Sequence, residues 1–216
     1  MFQVCCVNGC NNNKYYKSDY CYRHWRHITR HGKILARTRY DKNEIFCDNG
    51  VCRIFTYHPD GTKSGYGLID FSDLEIVKKY KWHLDVGGYL VARKDNKLYR
   101  LHRLLLGLEV SKVGGIEGDH INGKTNDNRR VNLRVCTIRQ NQFNRRMAIN
   151  NTSGFKGVSW SNREHKWRAY ITNNQKFIHL GTFNYAIEAA RKYNEAAKNL
   201  AGVYARLNRI SIKIGG

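Results

Sequence analysis

A carboxylate and an imidazole stand side by side at Asp119 and His120, and asparagines follow twelve and twenty-one residues after the histidine, at Asn132 and Asn141. Phosphodiester hydrolysis needs a water activated near neutral pH and a cation that stabilises charge on the phosphate and the leaving oxygen. An imidazole titrates in the range that a general base requires. Carboxylate and amide oxygens are ligands that suit Mg²⁺. This stretch therefore predicts phosphodiester hydrolysis with one divalent metal.

The residue types also predict separate roles. His120 is the expected general base and Asp119 the expected metal ligand. Adjacent residues on a strand point to opposite faces, so this pair should flank a bend or a strand end rather than chelate one ion. The second oxygen ligand must come from elsewhere, and the amide of Asn141 can supply it. The alternative is a polar hairpin with a solvated histidine, which the two spaced asparagines disfavour.

Local patterns predict the elements that position these groups. Asn122-Gly123 is typical of a turn, and residues 133–136 are predicted to form a short strand. Thr137 is the predicted N-cap of a helix over 137–147. The expected order is strand, loop, strand and helix, with the acid–base pair on the first strand and the amide ligand on the helix.

Several segments resemble the HNH nucleases encoded by phages and mobile introns. That family has a ββα-metal finger, in which the first histidine is the general base, the preceding Asp and the last motif residue bind the metal, and the middle Asn braces the loop. The resemblance implies these roles for His120, Asp119, Asn141 and Asn132, and Asn at the third position implies Mg²⁺ or Mn²⁺ rather than tightly bound zinc. The segments that carry the resemblance are Leu101-His102-Arg103, Asp119 to Gly123, Asp127-Asn128-Arg129, Asn132-Leu133-Arg134 and Gln140 to Asn144.

Other positions of the motif are secondary candidates. Asn128 and Asn144 are candidates for bracing the loop or for contacting a phosphate, and Arg103 and Arg129 are candidates for DNA contact. His102 also matches the pattern, and a structural role is at least as favoured for it as a catalytic one.

Composition indicates the partner. Lys and Arg total 38 against 17 acidic residues, a formal net charge of +21, which predicts binding to the phosphate backbone of double-stranded DNA. A basic protein made soluble by charge, or a membrane-surface protein, is the alternative, but neither explains 14 Tyr and 4 Trp interleaved with basic residues. No apolar run is long enough for a membrane span, and no small-molecule cofactor is expected. The absence of a signal peptide and the seven cysteines predict the reducing cytoplasm of a host cell.

Residues 1–40 are predicted to be a zinc-binding module with a basic helix that runs to His31-Gly32. Three thiols and one imidazole make a closed tetrahedral zinc site, and so short a segment needs such a site to fold. Cys6 competes with its neighbour as a ligand, and free thiols are the alternative. The segment resembles the zinc-knuckle leaders of some phage HNH proteins, and a basic run to Arg39 follows. The predicted ligands are Cys5, Cys10, Cys21 and His24.

Residues 41–150 are predicted to be the nuclease domain, with antiparallel strands before the finger. Asp48-Asn49-Gly50 predicts a hairpin between strands 45–47 and 51–55. Ser72 opens a predicted capping box and a short helix to Tyr80. Further strands are expected over 66–69, 88–93 and 98–102. Three cysteines are interpreted as strand or core residues: Cys47, Cys52 and Cys136.

Residues 151–216 are predicted to form a three-stranded antiparallel sheet packed on one helix, which begins after an N-cap at Asn184 and stops at Gly202. Gly157-Val158, Trp167-Arg168-Ala169, 180–183 and Ala189-Ala190 resemble the ethylene-response-factor type DNA-binding domain over about 153–208. The side chains expected to face the helix are Val158, Trp160, Trp167, Ala169, Ile171, Ile178 and Leu180. The expected outer face has Ser159, Ser161, Arg168, Tyr170, Thr172 and His179, with Arg163, Lys166 and Lys176 at the strand ends.

Together these features predict an α+β protein in three parts: a homing-type DNA endonuclease acting as a monomer or homodimer on DNA. One finger per chain predicts a single-strand nick by a monomer, and a double-strand cut would need a dimer or a second event. The main alternative is a catalytically inactive DNA-binding regulator, and an RNA-binding protein is a third possibility. Aromatic residues favour the third, whereas the presence of both Asp119 and His120 disfavours the regulator.

Overall fold

The computed structural model describes residues 3–37, 41–108 and 115–210. The chain divides into two compact units, Met1–Leu101 and His102–Gly216. Short antiparallel sheets and a few helices confirm the predicted α+β class. Among the described residues, no helix has the length and apolar character that a bilayer span needs.

The first unit begins with the predicted basic helix, α1 (Tyr22–His31). The helix ends where Gly32 adopts φ 67° and its N–H bonds to the carbonyl of Ile28, a left-handed termination that glycine allows without strain. Arg39, the last residue of the predicted basic run, lies outside the described residues.

Two three-stranded antiparallel sheets follow. The predicted hairpin is confirmed, because Asn49 and Gly50 adopt φ 47° and 77° and so provide the two positive φ values of a type I′ turn. Asn43 bonds through its side chain to the backbone of both Phe55 and Trp82. The strands are β1 (Ile45–Asp48), β2 (Val51–Tyr57) and β3 (Lys63–Asp70) in one sheet, and β4 (His83–Leu84), β5 (Leu90–Lys94) and β6 (Lys97–Arg100) in the other.

Cys47 and Cys52 are strand residues, as predicted, but they are also joined by a disulfide that the sequence interpretation missed. The register of β1 and β2 places them directly opposite one another.

The predicted capping box at Ser72 is wrong. Phe71–Asp73 forms a 3₁₀ turn that leads into α2 (Leu74–Val77) without a side-chain cap, so Ser72 lies inside the turn and the helix stops before Tyr80.

The second unit contains the predicted strand, loop, strand and helix. Thr137 caps the helix, and its side chain and that of Gln140 form a capping box. The helix is shorter than predicted, because Arg145 is extended with ψ 141°, and His102 lies in a helix rather than a strand. The elements are α3 (Leu101–Leu105), β7 (Ile116–His120), β8 (Leu133–Thr137) and α4 (Ile138–Asn144).

The predicted sheet and helix of the C-terminal part are also present. The sheet has the order β11-β10-β9, and the small side chains of Ala189, Ala190 and Ala197 are fully buried, which lets the helix lie close to the sheet. The helix begins after Tyr185 rather than Asn184. The elements are β9 (Val158–Ser161), β10 (Lys166–Asn173), β11 (Lys176–Phe183) and α5 (Ala186–Ala201).

Two residues predicted for the core of this sheet are exposed. Trp160 is 44% and Ile178 is 38% exposed, while Ser161, predicted for the outer face, is buried. Trp160 instead packs edge-on against Trp167 of the neighbouring strand, and a bulge at Ala169/Tyr170 shifts the register of β11. Alternation along a strand predicts faces, but it does not show where the covering helix ends.

One hydrophobic cluster joins the finger to the C-terminal module. Phe143 of α4 is buried with Ile171 of β10 and with Tyr193 and Ala197 of α5. The finger and the sheet module therefore share part of their core, which the sequence division at residue 150 does not suggest.

Candidate active site and metal centre

His120 and Asp119 lie at the end of β7, as their adjacency predicts, and both are buried. His120 Nε2 is 3.3 Å from Asn128 Oδ1. With the ring proton on Nε2, this amide oxygen accepts it and the lone pair is on Nδ1, which can then accept a proton. Burial lowers the pKa of His120 below its ordinary value, while the Asn128 bond and the Asp119 charge act in the opposite direction. The imidazole is therefore neutral near neutral pH, as a general base must be.

His102 of α3 packs against the catalytic candidate. The ring centroids of His102 and His120 are 4.8 Å apart. Gly118 makes this approach possible, because a Cβ there would lie 2.9 Å from His102 Cδ2. His102 is buried, which fits the structural role weighed for it from sequence.

The carboxylate of Asp119 has two partners, and one of them was not predicted. Arg134 donates from Nε at 2.8 Å and from Nη2 at 2.7 Å to Asp119 Oδ2. Asn144 Nδ2 lies 2.9 Å from both carboxylate oxygens and 2.9 Å from the backbone oxygen of His120. Arg134 lies directly opposite Asp119 in the β7–β8 ladder. The register of the two strands, rather than any local pattern in the sequence, brings this pair together.

Asn141 lies one turn before Asn144 on the same side of α4, and its Nδ2 donates to Glu117 Oε2 at 2.7 Å. Glu117 and Asp119 share a face of β7, so the two amides face two carboxylates. As placed, both amides turn their nitrogens towards these carboxylates. The carboxylate and amide oxygens of these residues are hard donors of the kind that suits Mg²⁺ or Mn²⁺. Cys136 lies opposite Glu117, and burial raises the pKa of its thiol to about 11. Glu117 was not singled out from sequence.

The loop between β7 and β8 is fastened by its own polar side chains. Asn132 accepts from the backbone N–H of Asn122 at 2.9 Å and donates to the carbonyl of Asp127 at 2.7 Å. Asp127 in turn accepts from Asn122 Nδ2 at 2.9 Å and pairs through both oxygens with Arg129 at 2.7 and 2.8 Å. Asn132 thus connects two points of the loop, and Arg129 contributes to the same network.

The four predicted zinc ligands also converge. The ligand atoms of Cys5, Cys10, Cys21 and His24 all lie within 4.8 Å of one another. The Cys10 and Cys21 sulfurs are 3.9 Å apart and Cys21 Sγ is 3.5 Å from His24 Nδ1. Cys5 Sγ is 3.2 Å from His24 Nδ1. Tetrahedral zinc, with Zn–S of about 2.3 Å and Zn–N of about 2.0 Å, requires about 3.8 Å between two sulfurs and about 3.5 Å between a sulfur and the nitrogen, so a cluster of this size could hold zinc.

The thiol pKa values differ between the ligands of this cluster, and burial raises the pKa of the Cys21 thiol. Burial acts to raise the pKa of the Cys5 thiol, but hydrogen bonds from His24 and from the backbone of Cys21 and Val7 outweigh it and lower the pKa to about 6. A thiol that ionises readily is suited to metal binding. Cys6 is exposed and lies outside the cluster.

The outer face of the C-terminal sheet is polar and partly aromatic. Arg168 pairs with Glu164, with Nε to Oε2 at 3.0 Å and Nη2 to Oε1 at 2.8 Å. Tyr170 stacks on Phe177 with centroids 4.7 Å apart, and Phe177 is 67% exposed. Phe177 lies opposite Thr172, and Thr182 lies opposite Arg168. The sequence analysis did not place these two residues on the outer face, because their register depends on the bulge at Ala169/Tyr170. His179, opposite Tyr170, is exposed, as are Arg163, Lys166 and Thr172.

Comparison with known proteins agrees with these features. The chain is 31% identical over 180 residues, 82% of its length and 92% of the relative's, to the uncharacterized HNH endonuclease L560 of Acanthamoeba polyphaga mimivirus. It is 38% identical over 58 residues, 27% of the chain and 48% of the relative, to Protein 3.8 of Escherichia phage T7. Residues 153–202 match the AP2 domain, and no solved structure matches the chain. The chain therefore belongs to the HNH endonuclease family and has an AP2-type DNA-binding domain in its C-terminal part.

Proposed function

We propose that this protein is a metal-dependent endonuclease that hydrolyses one phosphodiester of double-stranded DNA at each finger. The observation that supports this most is the placement of His120. Its ring is buried, it contacts the Asn128 amide oxygen through Nε2, and it follows Asp119 at the end of β7. This arrangement fixes the ring and keeps it neutral beside a carboxylate, as a general base for water requires.

In this mechanism His120 Nδ1 takes a proton from a water molecule. The resulting hydroxide attacks phosphorus, the bond from phosphorus to the 3′ oxygen breaks, and that oxygen leaves with a proton taken from solvent. Asn132 maintains the loop beside His120 through its contacts with Asn122 and Asp127. Asn128 selects the ring tautomer, which keeps the accepting nitrogen defined.

Asp119 and Asn141 are the proposed ligands of Mg²⁺ or Mn²⁺, with Glu117 beside them on the same strand face. When bound, the ion stabilises negative charge on the phosphate and the leaving oxygen. Asn144 and Arg134 hold the Asp119 carboxylate in place. Zinc is the proposed structural ion of the Cys5, Cys10, Cys21 and His24 cluster.

The AP2-type domain is the proposed DNA-recognition module, with its sheet in the major groove. Arg168, Tyr170, Thr172 and His179 are the proposed outer-face contacts, and Arg163, Lys166, Arg103 and Arg129 the proposed phosphate contacts. The two viral relatives are in keeping with a homing or mobile-element role. Most contacts to phosphate would give long sites and a steep dependence of binding on salt. A monomer would nick one strand, and a dimer would cut both.

The test is incubation of the zinc-loaded protein with supercoiled plasmid and Mg²⁺, with a chelator control. Relaxed or linear product should form, and His120→Ala should slow its formation by about 10²- to 10⁴-fold, the usual contribution of a general base. His58→Ala, at an exposed histidine of the first unit, is the matched control and should cut normally. Equal retardation of plasmid by the wild type and His120→Ala, with cleavage by neither, would instead identify a DNA-binding regulator.

A further inference from the structure

The chain that follows the AP2 match folds back onto the nuclease finger. The match ends at residue 202, and we call residues 203–208 the return segment. Its first residue, Val203, accepts a hydrogen bond at 2.7 Å from Arg134 Nη1, and the next, Tyr204, places its ring 4.5 Å from Arg134 Cζ. Arg134 is the residue whose other nitrogens bind the Asp119 carboxylate. One partner of Asp119 is therefore held in place by the return segment.

Arg206 holds the second partner. Its backbone N–H donates to the carbonyl of Phe143 at 3.1 Å, and its Nε donates to the carbonyl of Asn144 at 2.9 Å. Its Nη2 lies 3.3 Å from the carbonyl of Ile121, the residue after His120. Arg206 thus connects the end of α4, the helix of Asn141 and Asn144, to Ile121, the residue that follows His120.

These bonds meet a need that the helix itself creates. The last carbonyls of a helix have no partner within it, and positive charge is favourable at this end. Lys156, just inside the AP2 match, adds Nζ contacts of 2.7 Å to the carbonyls of both Phe143 and Arg145. Asn208 ties the two flanks of the AP2-type domain together through its bonds with the backbone of Lys156. Both ends of this domain therefore cap α4.

The predicted turn of the finger leaves room for this arrangement. Gly123 has φ 69°, and a Cβ there would lie 2.5 Å from Arg206 Nη2. Glycine thus serves both the turn conformation and the close approach of the guanidinium. This contact belongs to the motif segment Asp119 to Gly123, so the arginine lies against the nuclease motif itself.

We infer that Arg206 is a positioning residue of the nuclease site and that the return segment fixes the metal-binding carboxylate through Asn144 and Arg134. The inference rests on the proposed function and deepens it: the DNA-binding domain completes the catalytic finger as well as holding DNA. If the return segment only tethers the two modules, substitutions in it should change the melting temperature or the DNA affinity. If it positions the Asp119 carboxylate, substitutions should raise the Mn²⁺ concentration that nicking requires.

The experiment compares full-length, zinc-loaded wild type with Arg206→Met and Arg206→Lys. The matched control is Arg209→Met, which loses the same charge from an exposed arginine three residues later. The measurements are the Mn²⁺ concentration for half-maximal nicking, DNA affinity in chelator and the melting temperature. Residues that orient metal ligands typically change metal affinity or activity by about 10- to 100-fold, so Arg206→Met should raise the Mn²⁺ requirement by this factor. Arg206→Lys should recover part of it, and Arg209→Met should match the wild type.

A second variant covers the case in which Arg206→Met fails to fold. Tyr204→Leu removes the ring that lies against Arg134 and leaves the backbone contact of Val203, so a smaller rise in the Mn²⁺ requirement is expected. An unchanged Mn²⁺ requirement in the folded variants, with a lower melting temperature or weaker DNA binding, would overturn the inference and leave only a tether.

Direct Mn²⁺ binding, followed by electron paramagnetic resonance, separates this inference from the proposed function. The relevant signal is the bound Mn²⁺ that is lost in Asp119→Ala. If the wild type does not cleave DNA but Arg206→Met weakens this binding, the nuclease proposal fails and the positioning role stands. If both proteins bind Mn²⁺ equally, the positioning role fails, whether or not the wild type cleaves.

Discussion

The two candidate metal centres of this chain are held together by different forces. In the Cys5, Cys10, Cys21 and His24 cluster, the ligand atoms face one another and two of the three sulfurs are buried. Around Asp119, by contrast, the carboxylate already has Arg134 and Asn144 as partners. Ionised thiols brought this close repel one another unless a cation lies between them. The first centre should therefore need its ion to fold, whereas the second should need its ion only for chemistry.

The largest effect is expected from breaking the first centre. Cys21→Ser should abolish stoichiometric zinc and unfold α1, because structural zinc contributes about 10–16 kcal/mol in small zinc modules. Zinc content by elemental mass spectrometry and helicity by circular dichroism measure this. Cys6→Ser, at the exposed neighbouring thiol, should keep both. Removal of metal ions by a chelator should leave amide hydrogen exchange in α5 unchanged. Loss of protection from exchange in α5 would contradict the proposal that the second centre needs its ion only for chemistry.

The two amides of α4 sharpen the account of the second centre. Asn144→Ala removes bonds to Asp119 and to the His120 carbonyl from a buried site, so it should lower the free energy of unfolding by about 1–3 kcal/mol. Asn141→Ala, at a half-buried site, should cost at most about 1 kcal/mol but raise the Mg²⁺ requirement for nicking by at least about tenfold. Denaturant unfolding and Mg²⁺ titration test the pair. If Asn144→Ala instead raised the Mg²⁺ requirement and Asn141→Ala mainly lowered the free energy of unfolding, Asn144 rather than Asn141 would be the metal ligand.

The pH dependence of nicking tests the environment of His120. Burial lowers its pKa, and a general base acts in its neutral form, so activity should be constant above the ordinary histidine value of about 6.5 and fall only at lower pH. The Asn128 contact acts to raise this pKa, so Asn128→Ala should move the fall to still lower pH. Single-turnover rates from pH 5 to 8 would show it. A shift to higher pH would mean that His120 is not the titrating base.

The smallest effect is expected for DNA binding by the sheet of the AP2-type domain, where the positive charge of Arg168 is paired with Glu164 of the same chain. Glu164 neutralises Arg168, so Glu164→Gln should free the guanidinium for a phosphate and steepen the slope of log K against log salt by about 0.9. Arg168→Gln should change the slope less, since its charge is already paired. Binding isotherms at several salt concentrations measure both, and equal slopes in all three proteins would place this pair away from DNA.

The sequence predicted the elements of the finger because its patterns are local. Thr137 with Gln140 indicates a helix start and Asn122-Gly123 a turn, and both are found. The convergence of the four cysteine and histidine side chains was predictable for the same reason, because short loops bring them together. Adjacency also gave the correct position of Asp119 and His120 at a strand end.

What the sequence did not predict depends on strand register or on partners that are distant along the chain. The pairing of Arg134 with Asp119 and the disulfide of Cys47 with Cys52 follow from strand register. The early end of α4 at Asn144 is stabilised by Lys156 and Arg206, and the latter lies sixty-two residues downstream. Helix propensity carries no information about such capping groups, so the predicted helix to residue 147 was too long.

The position of Arg206 along the chain has a consequence for biosynthesis. Ribosomes make proteins from the amino end, so the finger leaves the exit tunnel well before the arginine that caps α4. Until then the last carbonyls of α4 lack this donor and Asn144 lacks its support. A nascent or prematurely terminated chain would therefore carry the HNH motif without the contacts of Arg206 that support the end of α4.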